Sequence, residues 1–141
     1  LKLNWLVVPI PSDAERCLVV SSGSQTIKFS NSGDQLLKFS SLLPNGSSNT
    51  RGGDCFLDCF FHAQTQTFFV LDMLSWKGNS YTDCDTSFRW FFLQQKLSEI
   101  RRIQVRSDSN HFVFQQAPYF DCTPSGLQAA TLSPLLPFVP D

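Results

Sequence analysis

Two aromatic strands joined by a short polar connection constrain the fold of this chain most strongly. Residues 56–62 read FLDCFFH, residues 67–76 read TFFVLDMLSW, and AQTQ lies between them. Runs rich in phenylalanine, valine and leucine favour strands, and a polar connection of this length between two such runs predicts a β-hairpin. The chain is therefore expected to contain an antiparallel sheet.

Each strand of this hairpin carries one aspartate directly after a leucine, Asp58 in the first and Asp72 in the second. A carboxylate within an apolar strand must be solvated, paired or hydrogen-bonded, because an unpaired buried charge is costly. An antiparallel sheet commonly has one wet face, so an exposed position would also satisfy these aspartates. The pattern alone leaves two interpretations open: residues on a solvated face, or carboxylates that line a cleft.

The rest of the chain predicts an α+β domain. The remaining expected strands cover residues 5–9, 16–22, 25–30, 35–39 and 112–115. A helix is expected over residues 86–99, with Phe88, Phe91, Phe92 and Leu97 at helical spacing, and a second helix begins at Thr123 and Pro124. Residues 40–53 are polar and rich in serine and glycine, which favours a surface insertion over a mobile flap.

Length, charge and hydropathy exclude several classes. The 141 residues fit one domain. They contain no run of about 18 apolar residues, so no membrane span is predicted. The net charge of −1 means that any nucleic-acid contact must come from a local cluster. The start at Leu1 and the end at Asp141 lead us to expect a domain that is incomplete at both ends.

Cysteine and arginine patterns are less specific. The five cysteines lack the spacing of a zinc site and form an odd set, which favours buried free thiols in a reducing compartment. Arg101, Arg102 and Arg106 form a basic cluster after the first helix. This cluster is interpreted either as a solvated helix end or as a phosphate-binding site.

Several short stretches carry a family resemblance over nearly the whole chain. They are FSSLLP at 39–44, LDC at 57–59, VLD at 70–72, WKG at 76–78, DC at 83–84, FR at 88–89, KL at 96–97 and CTP at 122–124. In this order and spacing the chain resembles the snurportin family of import adaptors, which recognise the trimethylguanosine cap of small nuclear RNAs. The resemblance implies that residues 1–141 form a single, partial cap-binding domain.

The resemblance also implies a fold like that of the nucleotidyltransferases, the messenger-RNA capping enzymes and DNA ligases, with mainly antiparallel sheets and a few helices. Those enzymes use a K-x-D-G-x-R motif with a nucleophilic lysine. The corresponding residues 11–16 read PSDAER, so Pro11 stands at the nucleophile position and has no amine. Their L-D-G-E motif aligns with residues 57–60, where Phe60 replaces the glutamate. The chain is therefore predicted not to be an enzyme.

A cap-binding site needs an aromatic face for the cationic purine, apolar walls for the methyl groups and cations for the triphosphate. Arg16 is the predicted phosphate ligand, since a guanidinium matches phosphate oxygens. Asn31 falls nearest to a lysine that approaches the cap in the family, and Lys28 could substitute by reach. Trp5 and Trp76 lie at strand ends, where their rings either pack in the structure or face the ligand.

Because the chain is predicted not to be an enzyme, Asp58 and Asp72 are interpreted as residues that hold the cleft floor through hydrogen bonds. The resemblance implies a capped small nuclear RNA as partner, importin-β through an N-terminal segment outside this chain, and shuttling between nucleus and cytoplasm. It implies no cofactor, no metal and no membrane partner. Two alternatives remain: an active nucleotidyltransferase, and a protein-interaction scaffold that has lost cap affinity.

Overall fold

A computed structural model describes residues 5–132 and shows an α+β architecture, which confirms the predicted fold class. The strands in these residues are β1 (Leu6–Val7), β2 (Glu15–Ser22), β3 (Gln25–Phe29), β4 (Gln35–Phe39), β5 (Cys55–His62), β6 (Thr67–Trp76), β7 (Asn79–Ser80), β8 (Val113–Gln116) and β9 (Phe120–Asp121). The helices are α1 (Thr86–Ser98) and α2 (Pro124–Leu132).

The main sheet is ordered β4-β3-β2-β5-β6-β7, and β8 pairs with β6 outside this path. All of its pairings are antiparallel except that of β6 with β8. The β5–β6 hairpin has the predicted bounds to within one residue and turns between His62 and Thr67, which face each other. A separate small sheet pairs β1 with β9.

The core lies on one face of the main sheet. Cys17 and Val19 of β2 and Leu57 of β5 point to this face and are almost completely buried, and helix α1 covers it with Leu93 and Leu97. A cluster of five phenylalanine rings forms part of this core. Its rings belong to Phe39, Phe61, Phe68, Phe112 and Phe114.

Helix α1 forms where predicted, but the predicted apolar face was partly wrong. Trp90, Leu93 and Leu97 are its buried residues, whereas Phe88 and Phe91 are about half exposed at 50% and 56%. Residues at i, i+3 and i+7 share one side of a helix. In α1 the buried side is the one that carries Trp90, Leu93 and Leu97.

The expectation of a surface insertion at residues 40–53 was wrong. Leu43 is completely buried, and the hydroxyl of Thr26 hydrogen-bonds Ser41 Oγ at 2.6 Å and donates to the carbonyl of Gly46 at 2.9 Å. Ser21 Oγ donates to the carbonyl of Pro44 at 2.7 Å. The buried hydroxyls of β2 and β3 thus anchor this loop to the sheet.

The second predicted helix is α2. Thr123 caps it, since its Oγ1 accepts a hydrogen bond from the backbone amide of Gly126 at 3.1 Å. Ala130 is buried, whereas Leu127 and Leu132 are exposed. In residues 5–132, neither helix combines the length and the apolarity that crossing a bilayer requires.

Candidate functional site

A groove of about 640 Å³ opens on the face of the sheet opposite the core. It lies over β2, β3 and β5, where Leu18 pairs in register with both Phe29 and Asp58. Because side chains alternate along a strand, Arg16, Leu18 and Asp58 share this face, while Cys17 and Val19 turn to the core. The residues that line the groove are Arg16, Cys17, Leu18, Phe29, Ser30, Asn31, Gly33 and Asp58.

Arg16 is held at this groove by Asp58. Its Nε donates to Asp58 Oδ1 at 2.8 Å, and its Nη2 donates to Oδ2 at 2.5 Å. This hydrogen bonding raises the pKa of the Arg16 guanidinium above its ordinary value. The side chain is 46% exposed, and the guanidinium lies 5.4 Å from the centroid of the Phe60 ring. A guanidinium has five N–H donors, so about three of them stay free for a ligand.

Asp72 lies directly opposite Asp58 across the hairpin and has its own arginine. Arg89 of α1 donates from Nε and Nη2 to the two carboxylate oxygens of Asp72, at 2.9 Å each. The backbone amide of Met73 donates to Asp72 Oδ1 at 2.7 Å. Both aspartates are therefore paired and hydrogen-bonded. The two aspartates on β5 and β6 thus lie side by side, with a cation from β2 on one side and a cation from α1 on the other.

A second contact fixes the turn that leads into β2. The carbonyl of Pro11 accepts a hydrogen bond from the amide of Ala14 at 3.0 Å, and Asp13 Oδ2 lies 3.0 Å from Nε2 of the buried His62. The other ring nitrogen of His62 lies 2.8 Å from Thr65 Oγ1. The β5–β6 turn therefore anchors the segment just before Arg16.

Of the residues predicted for the site, Arg16, Asn31 and Asp58 come together in the groove. Asp72 lies behind Asp58 on the next strand. The roles of these residues in ligand binding stay predictions. Sequence patterns could not identify Leu18, Phe29 or Arg89 as site residues, because the positions of these residues depend on strand register and helix packing.

The other three predicted residues lie away from the groove. Lys28 pairs in register with Val19, so it lies on the core face and is only 7% exposed. Its Nζ lies 3.7 Å from Glu15 Oε1 and 4.3 Å from the centroid of the Phe61 ring. Trp76 belongs to the core, and Trp5 is 67% exposed next to β1. None of them lines the groove.

The described residues thus form an α+β domain whose antiparallel sheet carries a groove with an arginine, an amide and apolar side chains. The family model of the Snurportin1 m3G cap-binding domain matches residues 1–138. Because this match covers nearly the whole chain, the chain belongs to this family. The resemblance inferred from the sequence motifs is confirmed.

Proposed function

We propose that this chain binds the trimethylguanosine cap of small nuclear RNAs in the groove at Arg16. The observation that carries this proposal is the guanidinium of Arg16, oriented by Asp58 and still 46% exposed. A fixed guanidinium with free N–H donors suits the oxygens of a triphosphate bridge. Asp58 acts by positioning Arg16, and the ring of Phe60 lies next to the guanidinium, within the range of a cation–π contact.

The apolar part of the groove fits the rest of the cap. Leu18 and Phe29 are only partly buried, so they offer walls for the methyl groups of the base. Asn31 supplies a neutral amide at the position where the family resemblance implies a lysine. Lys28 is a weaker candidate for that contact, because its ammonium lies on the core face beside Glu15.

The groove is proposed to bind its ligand without chemical change. Pro11 has no nucleophilic amine, and Phe60 cannot serve as an acid or base. Incubation of the chain with labelled GTP or ATP tests the rival function directly. We expect no covalent adduct, whereas a labelled protein that survives denaturation would establish a nucleotidyltransferase.

We further propose that residues 1–141 act as one domain of an adaptor for nuclear import of small nuclear ribonucleoproteins. Such an adaptor would shuttle between nucleus and cytoplasm and would contact importin-β through a segment outside this chain. This proposal rests on family membership. A scaffold without cap affinity is the second possibility, which a complete lack of cap binding would favour.

Replacement of Arg16 tests the site. We expect Arg16→Ala to weaken binding of a trimethylguanosine cap dinucleotide by about 1 to 3 kcal/mol, as for a charge-assisted contact. Arg101→Ala removes an exposed arginine outside the groove and serves as the matched control. Isothermal titration of the two variants gives the comparison, and equal affinities would remove Arg16 from the site.

A further inference from the structure

A second groove, of about 320 Å³, shares no residue with the groove at Arg16. Three cationic side chains from different parts of the chain border it: Arg51 from the loop before β5, Lys77 from the turn after β6, and Lys96 from α1. The acidic residue on its border is Glu99, whose Oε2 lies 3.7 Å from Lys96 Nζ. This site therefore has a net charge of +2 in a chain whose net charge is −1.

Two of these cations have no charged partner among the residues that the structure describes. Within residues 5–132, neither Arg51 nor Lys77 has an ion pair or a side-chain hydrogen bond, and both are exposed. Lys96 is neutralised in part by Glu99. The end of α1 nearby carries a partial negative charge of about half a unit, which two free cations outweigh.

The floor of this groove is apolar and continuous with the core. Leu42, Trp76 and Ile100 line it, and Trp76 is 3% exposed. Trp76 has no accessible face for stacking at this exposure, so the accessible apolar surface comes from the half-buried Leu42 and Ile100. Cations beside such a surface suit single-stranded nucleic acid, whose phosphates pair with the charges while its sugars lie against the apolar groups. A site for a small inorganic anion would not need this floor.

The two free cations are held on a fixed backbone. Gly53 packs so closely against the β6–β7 turn that a Cβ atom there would lie 2.3 Å from the carbonyl carbon of Lys77. The amide of Gly78 donates to the carbonyl of Asp54 at 2.8 Å. The backbones of the loop with Arg51 and of the turn with Lys77 are therefore held together, so both side chains extend from segments with a fixed relative position.

A polar pocket of about 310 Å³ continues this groove and shares Thr50 and Arg51 with it. Ser24, Ser48 and Asn45 also line the pocket. The Asn45 amide accepts a hydrogen bond from the backbone of Ser24 and donates one to Asp54. The hydroxyls of Ser24 and Ser48, which lie beside the cation, are suited to ribose hydroxyls and to a neighbouring phosphate. The two pockets together would accommodate consecutive nucleotides on either side of Arg51.

We propose that this second groove binds the phosphodiester backbone of single-stranded RNA, so that the chain contacts the body of an RNA independently of its 5′ end. The contact is independent of base sequence, because the charged and apolar groups do not read base edges. Uncapped RNA tests this site and a cap dinucleotide tests the groove at Arg16, so the failure of one proposal leaves the other standing.

The test is fluorescence anisotropy of a labelled, uncapped oligouridine with the full chain at several salt concentrations. The variant Arg51→Gln/Lys77→Asn removes both free charges, and asparagine tolerates the positive φ of 51° at Lys77. We expect it to bind at least about tenfold more weakly, with a slope of log K against log salt smaller by about 1.4. The control Lys38→Gln removes an exposed cation that lines neither pocket and is expected to retain affinity and slope.

Several outcomes would overturn this proposal. They are no RNA binding by the unaltered chain, an equal loss in the control, and an unchanged salt slope. Displacement of the RNA by inorganic phosphate at the same phosphate concentration would assign a general anion site instead. Binding of an acidic peptide in place of RNA would assign a protein partner. If the double variant melts at a lower temperature than the unaltered chain, the single variant Arg51→Glu replaces it, because this change reverses one exposed charge. Arg51→Glu is expected to show the same weaker RNA binding and smaller salt slope.

Discussion

Replacing Arg89 with methionine is expected to destabilise this domain by about 2 to 4 kcal/mol, because it leaves the Asp72 carboxylate without its partner. The side chains of Arg89 and Asp72 are only 13% and 16% exposed, and two hydrogen bonds of 2.9 Å join them. Arg89 also donates to the carbonyl of Cys84 at 2.5 Å, which adds a lost contact. The lower limit allows for the remaining exposure of the pair.

Arg16→Met is the matched control for this experiment. Arg16 pairs with Asp58 through the same two-bond geometry, but it is 46% exposed. Water can replace its contacts, so we expect its loss to cost less than about 1 kcal/mol. The two pairs therefore share the same two-bond geometry and differ in burial and in the additional hydrogen bond of Arg89 to Cys84.

Urea unfolding followed by circular dichroism measures both costs. A further variant, Asp72→Asn/Arg89→Met, removes the unpaired charge and should recover about 1 to 2 kcal/mol of the loss in Arg89→Met. The reasoning is refuted if Arg89→Met costs no more than Arg16→Met, or if the added Asp72→Asn change recovers nothing.

Two further predictions concern thiols and glycines. Burial raises the pKa of the Cys17 thiol from its ordinary 9.0 to about 12. The stability that comes from burying this protonated thiol is therefore fully present below pH 9 and is lost as the pH rises toward 12. Folded protein should therefore show an unreactive Cys17 and a reactive, exposed Cys122 toward a thiol reagent, and equal labelling would contradict this. Gly53→Ala forces a Cβ to 2.3 Å from a backbone carbon and should cost more than about 2 kcal/mol in chemical denaturation. Gly23→Ala meets open space at φ +59°, so about 1 kcal/mol is expected, and a cost as large as that of Gly53→Ala would refute the clash.

The elements of this fold that depend on local pattern could be predicted from the sequence. The hairpin of β5 and β6 and the helix α1 appear within one residue of their expected bounds. Strand propensity, the polar connection and helical spacing are properties of neighbouring residues, so they do not require knowledge of the tertiary structure. The helix cap at Thr123 also depends only on neighbouring residues, so it too could be predicted.

The arrangement of the site could be predicted only in part, because it depends on register. Arg16 and Asp58 meet because β2 pairs with β5, and they are 42 residues apart in the chain. A shift of one position separates Lys28 on the core face from Phe29 in the groove. The burial of Leu43 likewise depends on hydroxyl groups from distant strands. The polar composition of residues 40–53 gave no sign of this contact.

Parallel titration of the full chain with trimethylated and monomethylated cap dinucleotides shows whether the groove at Arg16 binds a trimethylguanosine cap. Burial of two further methyl groups on Leu18 and Phe29, at about 0.8 kcal/mol each, predicts a preference of about tenfold for the trimethylated cap. Equal affinity, a preference for the monomethylated cap, or no binding of either would contradict the claim.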